Sequence, residues 1–411
     1  MNTNERKILI FTSAAHLISH MYILIFPALI MPISRSFNIS IGDVFATSFI
    51  MYLFYGLLAI PWGYISDRYG PRNVMGSGIL LCGLGFIGAG YAQSLTWLTI
   101  SLAVTGIGCA AYHPSGLSLL SKGIRNRGEA LGINGLTGNV GIALAPLIAG
   151  ILNYSVEWSN TFKILGVMGL ILGKAILLSK FSVGRYEEVQ KSTKVDNKMA
   201  VKLFILFCVS MVFSGIMYRG FTLILPSYLE LHMTSYFTKA MEYLHFFKIS
   251  SELTSHSKTL IASIFTSLVF FIGMAGQLVG GKVADKKELR WSYCIFFAAA
   301  LPFLAIISFV TGPWIILFAG LFSFFALGMQ PIENSLVAMI TPPQWRSVSY
   351  GIKFTVVFGA GSVAIKLAEY IQKKSGINTV MISLIIPLLI VIFMTLLIIY
   401  VSRGYSMKHE K

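Results

Sequence analysis

The sequence predicts an all-α polytopic membrane protein, and three features support that prediction. Of its 411 residues, 55% are apolar and only 12% are charged, which is about half the charged fraction of an ordinary soluble domain. The mean hydropathy is +0.75. The apolar residues also run together over about 20 positions, long enough for helices to cross a bilayer. These features exclude a soluble or disordered chain. They disfavour an outer-membrane barrel, whose strands alternate apolar and polar residues.

Twelve apolar segments are long enough to cross roughly 30 Å of hydrocarbon at about 1.5 Å per helical residue. We number them as spans 1 to 12. They lie at about 8–30, 43–65, 74–92, 96–119, 128–152, 160–180, 200–228, 259–281, 291–310, 313–338, 349–371 and 377–401. An even number of spans places both ends of the chain on the same side of the membrane.

The basic residues predict which side that is. The formal net charge is +16, and the Lys and Arg residues lie in short loops between the apolar segments. The loops on the side of the termini hold 21 of them and the opposite loops hold seven. Because basic loops stay in the cytoplasm, both termini are expected to be cytoplasmic, in the inner membrane of a prokaryote. The basic residues show no face with interleaved aromatics, so nucleic acid is not an expected partner.

The chain divides into two halves of six spans, 1–180 and 199–411, joined by a polar cytoplasmic linker at 181–198. Equivalent residues recur between the halves at offsets of 218, 217 and 219 positions. These pairs are Gly63 with Gly281, Pro114 with Pro331, and Gly132 with Gly351. An extended outer loop at about 230–258 accounts for a shorter offset near the start of the second half. A duplicated helical bundle is typical of a transporter whose halves move about a central site.

The loop after span 2 reads GYISDRYGPR over residues 63–72. It resembles the G-x-x-x-D-R-x-G-x-R signature of the major facilitator superfamily, and the resemblance extends over nearly the whole chain. It implies a conformational gate under the bundle, in which salt bridges break when the halves tilt. The residues of this gate are Gly63, Asp67, Arg68, Gly70 and Arg72, with Asp285 in a degenerate second copy. The alternative is an ordinary basic cytoplasmic turn.

Span 5 contains a second motif, in which Gly141, Pro146 and Gly150 match the family's antiporter motif and Ala145 and Ala149 replace two of its glycines. The alternative is generic packing of small residues between helices. Residues 106–150 further resemble the fosmidomycin-resistance-like efflux branch. That resemblance implies ion-coupled export of small molecules. The span 4 arginine of many proton antiporters in the family would fall at Leu102, so its role does not transfer.

Ionisable residues deep in apolar spans are expensive and are functional candidates. The resemblance makes spans 1, 4, 7 and 10 the cavity lining, and these spans carry His20, His113, Arg219 and Glu333. His113 and Glu333 are the leading candidates for proton coupling. His113 could instead satisfy a carbonyl freed by Pro114, and Glu333 could pair with Arg219. Three tyrosines flank the candidate cavity and could contact a ligand or simply pack: Tyr22, Tyr112 and Tyr218.

Other intramembrane charges receive structural interpretations. Lys366 and Glu369 are three apart on one helix face and are expected to neutralise each other. Lys174 and Lys353 are expected to extend towards the headgroups. We expect no metal, because the histidines of the outer loop have irregular spacing and the four cysteines form no CxxC pair.

Together these features predict a secondary active transporter that works by alternating access. We expect a proton-coupled antiporter that exports a small organic molecule, and our hypothesis is that this molecule is an anion. It is expected to work as a monomer, without a cofactor, and not as an enzyme. A proton-coupled importer of the same fold is the first alternative. A membrane receptor and a lipid-modifying enzyme are alternatives of other classes.

Overall fold

The computed structural model describes residues 1–180, 197–233, 236–237, 254–341 and 346–403, and every regular element in these ranges is a helix. This confirms the all-α prediction. Most of the predicted linker 181–198 and most of the predicted outer loop 230–258 lie outside the described residues.

The first half is built from eight helices that make up spans 1 to 6. They are Thr3–Phe37, Ile41–Thr47, Phe49–Leu57, Ala59–Tyr69, Pro71–Gly90, Leu95–Ala110, Tyr112–Gly123 and Arg127–Leu178. Span 2 bends by 48° between Leu57 and Ala59. The bend arises because Pro61 lacks the N–H that would continue the hydrogen-bond ladder to Leu57.

The second half repeats this pattern in its described part. Its helices are Asn197–His232, Ser255–Lys286, Leu289–Ile307, Pro313–Gly328, Gln330–Ile340, Arg346–Phe354, a π-helical turn at Thr355–Ala360, Val363–Ser383 and Ile385–Val401. The π-helical turn lies in span 11, where one half of the protein meets the other.

The described helices account for twelve spans. Nine are long and apolar enough to cross a membrane, and the bent pair of span 2 makes a tenth. Two of the nine, Arg127–Leu178 and Ser349–Val401, contain 52 and 53 residues. At about 1.5 Å per residue each is more than twice as long as the hydrocarbon core is thick, so each provides two spans.

The two long segments are interrupted at equivalent positions. Glu157 has φ 66° and ψ 165°, and Gly376 has φ 81° and ψ 171°, so neither residue is helical. The two breaks are 219 positions apart (157 and 376), which matches the offsets between the halves. The sequence predicted these turns only as the short gaps between spans 5 and 6 and between spans 11 and 12.

Spans 4 and 10 are interrupted in the same matched way. A new helix begins at Tyr112 with Pro114 in its first turn, and another begins at Gln330 with Pro331 in its first turn. The breaks place His113 and Glu333 at the start of the second segment of each span. Discontinuous helices of this kind put polar groups and free helix ends near the middle of a membrane bundle.

The outer surface of the bundle is apolar. Phe309, Phe393, Ile171 and Ile386 are each more than 60% exposed. Such exposure would be unfavourable in water, but it suits side chains in contact with lipid. Inside the bundle, by contrast, the polar residues His113, Arg219 and Glu333 are buried.

Candidate functional site

Three histidines meet inside the first half. His16 and His20 are one helical turn apart in span 1, and His113 approaches them from span 4. One ring nitrogen from each lies within 4.8 Å of the others. The ring centres are 4.6 Å apart for His16 and His20, and 5.4 Å from each of them to His113. The sequence selected His20 and His113 for the cavity, and the structure brings both together with His16.

Hydrogen bonds and stacking fix the orientation of His16. Its Nδ1 lies 2.8 Å from the backbone oxygen of Asn134, and its Nε2 lies 3.1 Å from Nε2 of His20. Tyr112 stacks on the His16 ring at 4.6 Å and donates its hydroxyl to Oδ1 of Asn134 at 2.9 Å. Of the three tyrosines predicted from the sequence, Tyr112 therefore supports the histidine cluster.

Tyr22 and Tyr218 have different surroundings. Tyr22 is fully buried, donates to the backbone oxygen of Leu165 at 2.6 Å and packs against Phe86, so its contacts are structural. Tyr218 lies beside Arg219, with its ring 5.9 Å from the guanidinium carbon.

His113 connects the two halves. Its Nε2 lies 3.0 Å from the hydroxyl of Tyr55 in span 2. Its ring stacks on Phe354 of span 11 at 4.6 Å and lies 5.8 Å from Phe358. Tyr55, Phe354 and Phe358 were not predicted, because nothing in their local sequence distinguishes them from ordinary membrane aromatics.

Arg219 is a buried cation at the interface between the halves. The residue is 3% exposed, and its guanidinium carbon lies 3.8 Å from the centre of the Tyr52 ring in span 2. Within the described residues its Nε and Nη1 have no hydrogen-bond partner. The Tyr52 hydroxyl in turn donates to the backbone oxygen of Ile23 in span 1, the span that carries His16 and His20. Because a buried cation with two unsatisfied nitrogens is costly, Arg219 is suited to receive an anion.

Glu333 has a different partner from the one the sequence suggested. Its carboxylate lies 2.8 Å from Nζ of Lys353 and accepts a hydrogen bond from the Tyr293 hydroxyl at 2.9 Å. Lys353 also donates to Oδ1 of Asn334 at 2.5 Å and is only 5% exposed. The suggested pair of Glu333 with Arg219 is therefore wrong, and so is the expectation that Lys353 extends to the headgroups. Lys353 lies in the helix Arg346–Phe354, just before the π-helical turn, and is buried, which its sequence position did not indicate.

Five of the six predicted gate residues lie at the turn between spans 2 and 3 of the first half, and Asp285 lies at the end of span 8 in the second half. Asp67 pairs with Lys122 at 3.3 Å, and Arg72 donates to the backbone oxygen of Ser179 at 2.6 Å. Gly63 packs on Pro114 of span 4. Gly70 has φ +89°, a conformation that favours glycine. The remaining two members are Arg68, whose guanidinium lies over the Tyr69 ring, and the exposed Asp285.

The span 5 motif lies where helices approach closely. A Cβ on Gly141 would collide with the backbone of Leu17 in span 1, and one on Gly150 would lie 2.5 Å from Cβ of Ser263 in span 8. Next to Pro146, the backbone N–H of Leu147 donates to the Ser267 hydroxyl at 2.9 Å. The motif thus connects span 5 to the other half.

Ion pairs across the outer face were not predicted. Arg35 of span 1 pairs with Glu230 of span 7, and Asp43 of span 2 pairs with Lys373 at 2.6 Å. Lys373 also contacts Glu369 at 3.0 Å, and Glu369 forms the expected pair with Lys366 at 2.9 Å. Lys373 lies in the loop between spans 11 and 12, and its hydrogen bonds to Asp43 and Glu369 raise its pKa. The outer ends of the halves are therefore joined by charge.

A family model described as Major Facilitator Superfamily matches residues 11–365. The probable L-galactonate transporter of Escherichia coli (strain K12) is 26% identical over 279 residues, which are 62% of this chain and 56% of that protein. The methyl viologen resistance protein SmvA of Salmonella typhimurium (strain 14028s) is 31% identical over 121 residues, which are 28% and 24% of the two chains.

The chain thus spans about half of the first relative and a quarter of the second. Among solved structures, a bacterial homologue of the human lysosomal transporter Spinster, in an inward-facing and occupied conformation, has a similar fold. The TM-score is 0.77 over 98% of both chains, at 15% identity.

Proposed function

Because the chain belongs to the Major Facilitator Superfamily, we propose that it is a proton-coupled antiporter that exports a small organic anion by alternating access. The family and the fold make it a multi-pass membrane protein that transports a small molecule and is not an enzyme. The proposal adds the charge of the substrate, the coupling ion and the direction of transport.

The environment of Arg219 is the single observation that supports an anionic substrate most strongly. Arg219 is buried between the halves, and two of its nitrogen atoms have no hydrogen-bond partner within the described residues. Binding a carboxylate or phosphonate would supply charge-assisted hydrogen bonds to a group that is already desolvated. L-Galactonate, after which one relative is named, is a carboxylate.

Proton coupling is proposed at His113, with Glu333 as the second group. Imidazole changes charge near neutral pH, and the contacts that hold His113 are a tyrosine hydroxyl and aromatic rings. Protonation there would add a second positive charge near Arg219 and would change the affinity for an anion. Glu333 can take a proton only if its pair with Lys353 separates, so it would respond later in the cycle.

Export is supported by the antiporter-like motif and by the name of one relative. The motif residues Gly141 and Gly150 pack closely between helices. SmvA is named for resistance to a toxic compound, which is consistent with export by that protein. We further propose that the chain works as a monomer in the cytoplasmic membrane, with both termini in the cytoplasm, as the distribution of basic loops indicates.

The substrate charge is tested by transport in proteoliposomes with a panel of organic anions, galactonate among them, matched to neutral analogues. We expect flux for an anion and not for its neutral analogue. Arg219→Gln should reduce that flux at least about 100-fold, because one charged hydrogen-bonded contact is worth about 3 kcal/mol. Arg403→Gln, a change at the exposed end of span 12, serves as the matched control. Equal flux for Arg219→Gln and wild type would contradict the anion site.

Proton coupling and the direction of transport are tested in membrane vesicles of known orientation with an imposed pH gradient. An antiporter should move the anion against the direction of proton flow and should stop when a protonophore collapses the gradient. Uptake in everted vesicles driven by internal acid would support export, whereas uptake in right-side-out vesicles driven by external acid would indicate the importer. Flux that ignores the protonophore would contradict proton coupling in either direction.

A further inference from the structure

The histidine cluster has the geometry of a metal site. His16, His20 and His113 come from two helices, and one nitrogen of each lies within 4.8 Å of the others. In a tetrahedral site with Zn–N bonds of about 2.0–2.1 Å, ligand nitrogens are about 3.3 Å apart. Nε2 of His16 and Nε2 of His20 are 3.1 Å apart. Small side-chain rotations would therefore bring all three nitrogens to coordination distance.

The surroundings of His16 also match those of a metal ligand. Its Nδ1 contacts the backbone oxygen of Asn134 at 2.8 Å, an arrangement that leaves Nε2 free of hydrogen. Histidine ligands commonly donate their second nitrogen to a carbonyl in this way, which fixes the tautomer and orients the ring. Tyr112 holds the same ring by stacking and also binds the Asn134 side chain. His16 is thus oriented before any ion arrives.

We propose that His16, His20 and His113 bind one divalent transition-metal ion of the zinc type, with a fourth position left for water or an anion. Imidazole nitrogen suits Zn²⁺, Ni²⁺ and Cu²⁺ and does not suit Mg²⁺ or Ca²⁺. The proposal shares His20 and His113 with the transport site but does not depend on transport. Loss of metal binding alone would leave the proposed function intact.

Nearby charges decide how tightly the ion binds. The positive charge of Arg219 acts on His20, and the positive charge of Lys353 acts on His113. The ligands themselves are neutral imidazoles. Repulsion from the two cations lowers the affinity, so neutralising Arg219 should tighten metal binding. The effect of Arg219→Gln on metal affinity is therefore opposite to its expected effect on the affinity for an organic anion, which Arg219 attracts.

The test is calorimetric titration of Zn²⁺ and Ni²⁺ into the purified full chain in detergent, with any purification tag removed. We expect one ion per chain in wild type. His16→Gln, His20→Gln and His113→Gln should each weaken binding at least about 10-fold, since even outer contacts of metal ligands are worth 10–100-fold. Arg219→Gln should strengthen it. His232→Gln, at the outer end of span 7, is the matched control and should bind as wild type does.

A conservative variant separates ligation from folding. His20→Cys keeps a zinc ligand, so it should retain Zn²⁺ binding that His20→Gln loses, while both remain monodisperse by size exclusion. The proposal is overturned if wild type binds no ion at about 100-fold excess. It is equally overturned if the three glutamine variants bind as wild type does, or if His20→Cys binds no better than His20→Gln.

Discussion

The centres of the two halves differ, although the halves repeat each other in sequence and in the breaks of their helices. In the first half, the rings that contact His113 are imidazole and aromatic rings, which carry no fixed charge of their own. In the second half, the equivalent region holds Glu333 paired with Lys353 and bonded to Tyr293. The first half can therefore change its charge by protonation of His113 without breaking an ion pair. In the second half, Glu333 must first separate from Lys353.

Arg219 is a second buried cation in the same half as Lys353, and the two cations can be compared directly. Lys353 has a carboxylate partner, whereas Nε and Nη1 of Arg219 have no hydrogen bond within the described residues. A paired buried charge supports the fold, and an unpaired one reduces stability in return for function. The same kind of substitution should therefore have opposite effects at the two positions.

Removal of the paired cation is expected to have the largest effect on stability. Lys353→Met leaves the Glu333 carboxylate buried without its ion partner and should lower the free energy of unfolding by about 3–5 kcal/mol. Thermal and denaturant unfolding in detergent measure the effect. The double variant Glu333→Leu with Lys353→Met should recover most of the loss. If the single variant were as stable as wild type, the pair would have no structural role.

The unpaired cation should respond in the opposite direction. Arg219→Met removes two buried nitrogens that lack hydrogen bonds within the described residues, a gain of about 1–3 kcal/mol, and loses a cation–π contact of about 0.5–2 kcal/mol. Stability measured by the same unfolding assay should be retained or raised, while anion flux is lost. A fall in stability comparable to that of Lys353→Met would show that Arg219 is a structural residue, and the contrast between the two cations would disappear.

A smaller effect is expected in the first half. Tyr55→Phe removes the hydroxyl that lies 3.0 Å from His113 and should cost about 1 kcal/mol. The pH profile of transport should shift, because the hydrogen bond of His113 changes. Tyr64→Phe, at a 70% exposed position near the end of span 2, is the control. An unchanged pH profile in Tyr55→Phe would argue against His113 as the coupling group.

The smallest effect on stability is expected at the cytoplasmic motif. Asp67 and Lys122 are exposed, and such pairs contribute about 0–1 kcal/mol. Asp67→Asn should therefore fold normally yet transport more slowly, if this loop is a gate. Glu129→Gln, another exposed carboxylate change in the same half, should leave flux unchanged. Normal flux in Asp67→Asn would favour the interpretation as an ordinary basic turn.

The sequence predicted the spans well because run length and hydropathy are local properties. It also placed the repeat, since Pro114 and Pro331 occur at equivalent positions and both interrupt their helices. The pair of His16 with His20 was available in the sequence as one helical turn on span 1. It was not recognised as part of a three-histidine cluster, because the third histidine, His113, lies 93 positions beyond His20 in the sequence.

The side-chain partners could not be predicted for a physical reason. Glu333 and Lys353 lie in different helices, Gln330–Ile340 and Arg346–Phe354, and their contact depends on how spans 10 and 11 pack. The outer pair of Arg35 with Glu230 likewise depends on the relative position of the two halves. Hydropathy specifies that a segment is buried, but not which neighbour it faces.

Alternating access requires the two ends of the protein to open reciprocally, and electron-spin distance measurements test this most directly. One pair of labels would be placed on the exposed outer residues Ser40 and Lys374, and another on the cytoplasmic residues Tyr69 and Lys287. The double variant Arg35→Gln with Lys373→Gln removes the ion pairs that join the outer ends. We expect the outer distance to increase and the cytoplasmic distance to decrease. Distances that stay fixed, or that change in the same direction at both ends, would contradict the account.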